Sequence, residues 1–227
     1  MPRHIDLALL AALAACALAG PSRAADGKFE QVRVYLERNL MDKDAEVKFE
    51  ATGDDSGLST LKVVAPDGRT VIDFRTPASK LGIRHLSLES PEPKNDGSVQ
   101  ADFPAGVYTF SGSTTGGARL EGRATLSHAF PEAARFLRPA AGAKGVPHRG
   151  LQVGWSSVKG LSATVIVIED EATGREFRAN LPGDTTSLIV PDGFLNPGTE
   201  YKLAIGTVGK DGNASFIETA FTTAATK

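Results

Sequence analysis

The sequence predicts an all-β protein: two antiparallel Greek-key β-sandwich domains behind an N-terminal signal peptide. Three observations carry this expectation. The clear hydrophobic period is two, in many short runs, as half-buried strands require. Gly and Pro (24 and 13 residues) punctuate those runs evenly, and helical stripes are scarce. The chain of 227 residues opens on an apolar Ala/Leu-rich segment, and the remainder fits two units of about 100 residues each.

The N-terminus comes first. Met1-Pro2-Arg3-His4 is a short, mildly basic start, diluted by Asp6, and residues 7–20 are apolar. Gly20-Pro21 breaks a helix, and Ser22-Arg23-Ala24 offers small residues for cleavage before Ala25. The apolar run is shorter than the ~20 residues that cross a bilayer. Residues 1–24 therefore read as a signal peptide, and the mature chain is expected to have no transmembrane segment. A second route stays open: Leu13-Ala14-Ala15-Cys16 resembles the lipobox of bacterial lipoproteins, in which Cys16 would carry the lipid. The expected location is periplasmic or secreted, or a membrane surface if Cys16 is lipidated. Cys16 is the only cysteine, so cleavage after Ala24 leaves no disulfide, thiol chemistry or Cys-based metal site. The net charge of −2 gives no basic balance that points to nucleic acid or to anionic membrane surfaces.

The first domain is expected over 28–130, with strands at 31–38, 46–51, 58–64, 70–74, 83–88, 99–103, 107–113 and 120–126. Val32 and Val34 share one face of the first strand, Val47 and Phe49 one face of the second. Pro66-Asp67-Gly68-Arg69 is a strong turn signal between two strands. A short helical turn fits 78–81. Residues 131–149, with Pro131, Pro139 and Pro147, read as a semi-extended linker with one helical turn over 132–137.

The second domain is expected over 150–227. Leu151, Val153 and Trp155 alternate, and further strands fit 164–168, 175–180 and 187–190. The stretch Leu195-Asn196-Pro197-Gly198-Thr199-Glu200-Tyr201 then opens the alternating strand 201–208. Pro197 fixes φ and Gly198 permits a positive φ, the chemistry of a tight corner. Leu195 can plug the end of a core. Tyr201 can bury its ring and still send its hydroxyl to nearby backbone, a tyrosine corner. Lys210-Asp211-Gly212-Asn213 turns the chain into a returning strand at 216–223.

This corner resembles the signature of fibronectin type III domains, where Leu-x-Pro-Gly-Thr-x-Tyr leads into the F strand, and Trp155 matches the core Trp of their B strand. The resemblance covers roughly the last third of the chain. It implies strands B, C, C′, E, F and G, with an A strand poorly defined near 145–148. It also implies a binding or spacing role. The first half resembles an immunoglobulin-like sandwich only weakly, through one local echo: Pro104-Ala105-Gly106-Val107-Tyr108 places Tyr four residues after Pro, as Pro197 to Tyr201 does. Tyr108 is thus the expected corner of the first domain.

Motifs for chemistry are scarce. His85, His128 and His148 are isolated, and no HExxH-type spacing occurs. Asp42, Asp44, Glu46, Asp54 and Asp55 are the oxygen-rich residues that calcium would want; one strand separates the two turns by most of its length, so solvated turn residues are the expected reading and calcium at Asp42-Asp44 or Asp54-Asp55 the alternative. There is no Gly-x-Ser-x-Gly elbow and no Gly-rich loop entering a helix. No catalytic, cofactor-binding or metal residue is assigned, and no cofactor is expected. Val165-Ile166-Val167-Ile168 is apolar on both faces: one pair, Val165 and Val167 or else Ile166 and Ile168, is expected to face the Trp155 core, and the other needs cover from neighbouring strands, from the first domain or from a partner. The expectation is an exported, non-catalytic binding or spacer module at the bacterial envelope with a protein or glycan partner. The alternatives are a polysaccharide-binding accessory module, which needs an exposed aromatic platform where only Tyr35 is unassigned, and a small periplasmic hydrolase.

Overall fold

A computed structural model describes residues 26–226; the expected signal peptide at 1–24 and Cys16 lie outside the described residues. The first half comprises β1 (Asp26–Lys28), β2 (Gln31–Asn39), β3 (Asp44–Thr52), β4 (Leu58–Val64), β5 (Thr70–Arg75), β6 (His85–Glu89), α1 (Asp96–Asp102), β7 (Gly106–Thr114) and β8 (Arg119–Leu126). The second comprises β9 (Phe136–Arg138), β10 (Lys144–Val146), β11 (Gln152–Trp155), β12 (Ala163–Asp170), β13 (Arg175–Pro182), β14 (Ser187–Ile189), β15 (Glu200–Val208) and β16 (Ala214–Thr223). The fold is an all-β sandwich architecture.

Two apolar cores sit between facing sheets. Leu36, Val47, Leu58, Val63, Tyr108 and Phe110 anchor the first; Trp155, Ile166, Ile168, Leu203, Ile205 and Phe221 anchor the second. Each fully buried aliphatic or aromatic side chain contributes about 1.5–3 kcal/mol of transfer free energy. Period-two alternation delivers these residues: along β15, Tyr201, Leu203 and Ile205 all point into the second core.

The sheets do not respect the division into halves. A five-stranded sheet runs β1-β8-β7-β4-β5, and a three-stranded sheet runs β14-β11-β9. The third sheet has eight strands, in the order β13-β12-β15-β16-β2-β3-β6 with β10 paired to β16 off that path. Strand β16 makes this possible. It pairs antiparallel with β15 along its length, parallel with β2 at Ala214–Phe216, and parallel with β10 at Thr222 and Thr223. Its free edge is thus filled by the first half at one end and by β10 at the other, which leaves little of it open.

Three expectations are corrected. Residues 99–103 do not form a strand; they lie in and just after α1. Asn95 caps that helix by accepting from Gly97 N–H at 2.9 Å, and the Phe103 N–H closes it on Val99 O at 2.8 Å. Val99 and Phe103, four residues apart, both turn to the first core as helix neighbours do. Residues 77–78 form a turn and 78–81 no helix. The stretch 131–149, expected as a semi-extended linker, holds two paired strands and no helical turn over 132–137: β9 pairs with β11, and β10 pairs with β16. Proline is tolerated between such short edge strands because their outward N–H groups have no ladder partner.

Candidate binding surface on the shared sheet

The join between the halves is polar and buried. Asn213, in the β15–β16 turn, is 1% exposed. Its Oδ1 accepts from Leu36 N–H at 2.8 Å, and its Nδ2 donates to Ser127 O at 2.9 Å and Ala129 O at 2.8 Å. Ser215 donates to Pro131 O at 2.8 Å and accepts from Arg38 Nε at 2.9 Å. The Arg38 guanidinium stacks over Phe130 at 4.3 Å. Thr207 donates to Glu132 O at 2.9 Å. A buried donor or acceptor left unpaired is costly, so these bonds favour one relative placement of the two cores.

That placement creates one continuous outer face on the eight-stranded sheet. Register puts Val165 opposite Gly206 and Val167 opposite Ala204, so these residues lie on the side away from Ile166 and Ile168. Gly206 in turn faces Phe216 on β16, and the Phe216 ring lies over it: a Cβ at position 206 would fall 2.4 Å from the ring. The outward valines are therefore covered within their own sheet, Val165 to 7% exposure, while Val167 stays half-buried. Phe216, Val167 and Ala204 line the floor of a groove of about 230 Å³ that crosses from the second half to Glu37, Glu46 and Lys48 of the first.

The walls of the groove are charged and mutually paired. Lys202 meets Glu218 at 2.7 Å. Lys48 meets Glu37 and Glu46 at 3.1 Å and Glu89 at 3.3 Å. Burial pushes the Glu46 carboxyl up to about 7, against the pull of Lys48. Burial alone would lower Lys48, but the charge of Glu37 and its hydrogen bond outweigh that and hold the ammonium above its usual range. Beside this cluster, burial and the hydrogen bond to Glu50 raise Tyr35, whose hydroxyl donates to Glu50 Oε1 at 2.8 Å. Tyr35 lies beneath Arg33, 4.4 Å from ring centre to guanidinium carbon, and is 7% exposed.

Of the residues singled out in the sequence, Asp44, Glu46 and Val167 line the groove, and the others lie elsewhere. Trp155 and Leu195 are buried in the second core. Gly198 has φ 63° after Pro197, and its N–H bonds Ala224 O at 3.0 Å. Tyr201 is buried and its hydroxyl accepts from Asn196 N–H at 2.8 Å. Tyr108, the third residue of β7, is buried and donates to Pro104 O at 3.1 Å; burial pushes its hydroxyl up to about 12. Asp42 and Asp44 lie at one end of β3 and Asp54 and Asp55 beyond the other, roughly 30 Å apart by strand rise. Asp44 holds Lys94 at 2.9 Å and Asp55 holds Arg84 at 2.8 Å. His85 bonds Thr52 and His128 bonds Phe103 O. Among the described residues no group of three or more His, Cys, Asp or Glu is arranged to hold a metal ion, and no helix is long and apolar enough to cross a membrane. The groove itself was missed: its floor comes from Phe216 and Ala204, whose meeting with Glu37 depends on the β2–β16 pairing.

In the second half, the sheet β14-β11-β9 faces β13-β12-β15-β16, which is the arrangement of strands E, B and A against C′, C, F and G. The fold resembles that of fibronectin type III domains. No protein-family model matches the chain, and the search of curated proteins found no match. Solved structures similar to it include the chicken CNTN1 FN1-FN3 domains, at 13% identity and TM-score 0.33 over 88% of this chain and 66% of that one. The Clostridium thermocellum CbhA fibronectin(III)-like modules match at 10% identity and TM-score 0.35, over 90% and 92%. A two-domain fibronectin type III segment of chicken tenascin matches at 14% identity and TM-score 0.33, over 86% and 99%.

Proposed function

We propose that this chain is an exported, non-catalytic binding or spacer module that makes protein–protein contacts at the bacterial envelope. The observation that carries the reading is the join: Asn213 and the β2–β16 pairing fix two cores into one unit with a single outer face. A spacer needs that fixed geometry, and a binding face gains from groups held in place before the partner arrives. We take residues 28–130 as the first unit and the second as beginning at β9. Trp155, Leu195, Pro197, Gly198 and Tyr201 act in this reading as structural parts of the second core, and Tyr108 as that of the first.

The groove suits a polypeptide of mixed charge: an apolar floor at Val167, Ala204 and Phe216 between walls of Lys202, Glu218 and Glu46. A glycan would want an open aromatic platform, and Tyr35 is covered by Arg33. Glu37 and Glu46 both hold the Lys48 ammonium.

The test has two parts. Intact mass of the protein from periplasmic and envelope fractions of its own host distinguishes a soluble chain beginning at Ala25 from one lipidated at Cys16. Affinity capture from the matching fraction then compares wild type with Val167→Glu. A protein retained by wild type and lost with the variant supports the reading. Retention of polysaccharide instead, or turnover of an envelope substrate, overturns it.

A further inference from the structure

The eight-stranded sheet ends on β6, which pairs with β3 alone among the described strands. Two bonds flank that ladder: Gly53 N donates to Arg84 O at 2.8 Å, and Ser90 N donates to Val47 O at 3.0 Å. Bonding alternates along an antiparallel pair. Positions 84, 86, 88 and 90 therefore address β3, and the N–H and C=O groups of His85, Ser87 and Glu89 point away from the sheet. The side chains alternate too. Leu86 and Leu88 lie on the core face opposite Ala51 and Phe49, and His85, Ser87 and Glu89 lie on the outer face. Leu88 is 36% exposed.

Edges are usually blunted with charge or proline. Strand β13, at the other end of this sheet, carries Arg175 and Arg178 and ends on Pro182; β5 carries Asp73 and Arg75. Strand β6 carries no Lys, Arg or Pro, and its one carboxylate, Glu89, stands at its end. Its sequence, His85-Leu86-Ser87-Leu88-Glu89, is palindromic in character about Ser87. A second copy laid antiparallel on that centre puts His85 opposite Glu89, Leu86 opposite Leu88 and Ser87 opposite Ser87. The outward backbone groups of the three alternate residues then meet their counterparts. Moving the register by two residues either way loses the His–Glu pairs and sets a leucine against Arg84 or Ser90.

We infer that β6 is a self-pairing edge, and that two copies of this chain join through an antiparallel β6–β6 ladder centred on Ser87. The occupant is a second copy because the hydrogen-bonding and apolar complementarity is that of the strand with itself: an imidazole N–H of His85 meets the Glu89 carboxylate, and leucine meets leucine. Glu89 is free to face a partner: its side chain is 64% exposed although it also meets Lys48. Pro91 and Pro93 follow at once and limit the ladder to this short segment. So small a contact falls below the ~1,200 Å² of a stable interface, which makes the dimer a weak one.

Sedimentation equilibrium of the purified protein over a concentration series tests this, with Ser87→Pro, His85→Glu and His85→Lys beside wild type. Wild type should show a monomer–dimer equilibrium. Ser87→Pro should be monomeric with an unchanged unfolding midpoint, because the N–H it removes has no partner in the monomer. His85→Glu sets carboxylate against carboxylate twice and should weaken association by about tenfold, whereas His85→Lys should preserve it. Should Ser87→Pro fail to fold, the contrast between the two His85 variants decides. A wild-type protein that stays monomeric at its highest soluble concentration, or a dimer indifferent to these changes, overturns the inference.

Discussion

The backbone N–H of Leu36 donates to Oδ1 of Asn213 at 2.8 Å, across 177 positions of sequence and across the join between the two cores. The same side chain ties down Ser127 and Ala129 through its amide nitrogen. Asn213→Ala removes these bonds and strands the Leu36 N–H in a buried site, at a cost of about 3 kcal/mol. Asn213→Asp should cost more, because a carboxylate oxygen would face two carbonyls in a site closed to water. Urea unfolding followed by fluorescence of Trp155, the single tryptophan, measures both.

Gly206 exists to admit the Phe216 ring. Gly206→Ala places a methyl group 2.4 Å from that ring and should destabilise the protein by roughly 1–3 kcal/mol. In a Phe216→Ala background the obstacle is gone, and the same change should become neutral or mildly stabilising, since Ala is stiffer than Gly in the unfolded chain. A double-mutant cycle on unfolding midpoints reads the coupling.

Glu46 makes stability depend on pH. Its carboxyl is raised from the usual 4.5 to about 7, chiefly by burial. The folded protein therefore binds this proton more tightly than the unfolded chain does. The contribution is fully present below about 4.5 and is lost as pH rises through about 7. It amounts to at most about 3 kcal/mol. Glu46→Gln should flatten the stability profile across that window, and thermal melts in a series of buffers check it.

Thr164 is fully buried, and its hydroxyl is a buried side-chain oxygen without a hydrogen-bond partner among the described residues. Thr164→Val keeps the branched shape and removes the unmet polar group. The variant should be more stable by roughly 1 kcal/mol, measured by chemical denaturation.

Much of the sandwich was legible because alternation is a local property. The span 58–64 coincides with β4, and the runs around Trp155 and Tyr201 lie in β11 and β15. Residues 99–103 are ambiguous in sequence because Val99 and Phe103 satisfy a period of four, and the helix is announced only by its cap, Asn95. The stretch 131–149 resembles a spacer because its prolines border short strands whose partners, β11 and β16, are distant in sequence. The join and the groove were illegible for a different reason. Asn213 reads locally as a turn residue, and nothing near it in sequence announces Leu36. A parallel contact between β2 and β16 is a long-range fact that periodicity cannot express.

The central claim is that the two cores are held in one fixed relation. Spin labels at Lys62→Cys in β4 and Glu176→Cys in β13, both exposed, with Cys16 replaced by Ala, report it directly. Pulsed electron resonance should give a single narrow distance distribution that broadens in Asn213→Ala. A distribution already broad in the protein with Asn213 intact, and unchanged by the substitution, would contradict the account.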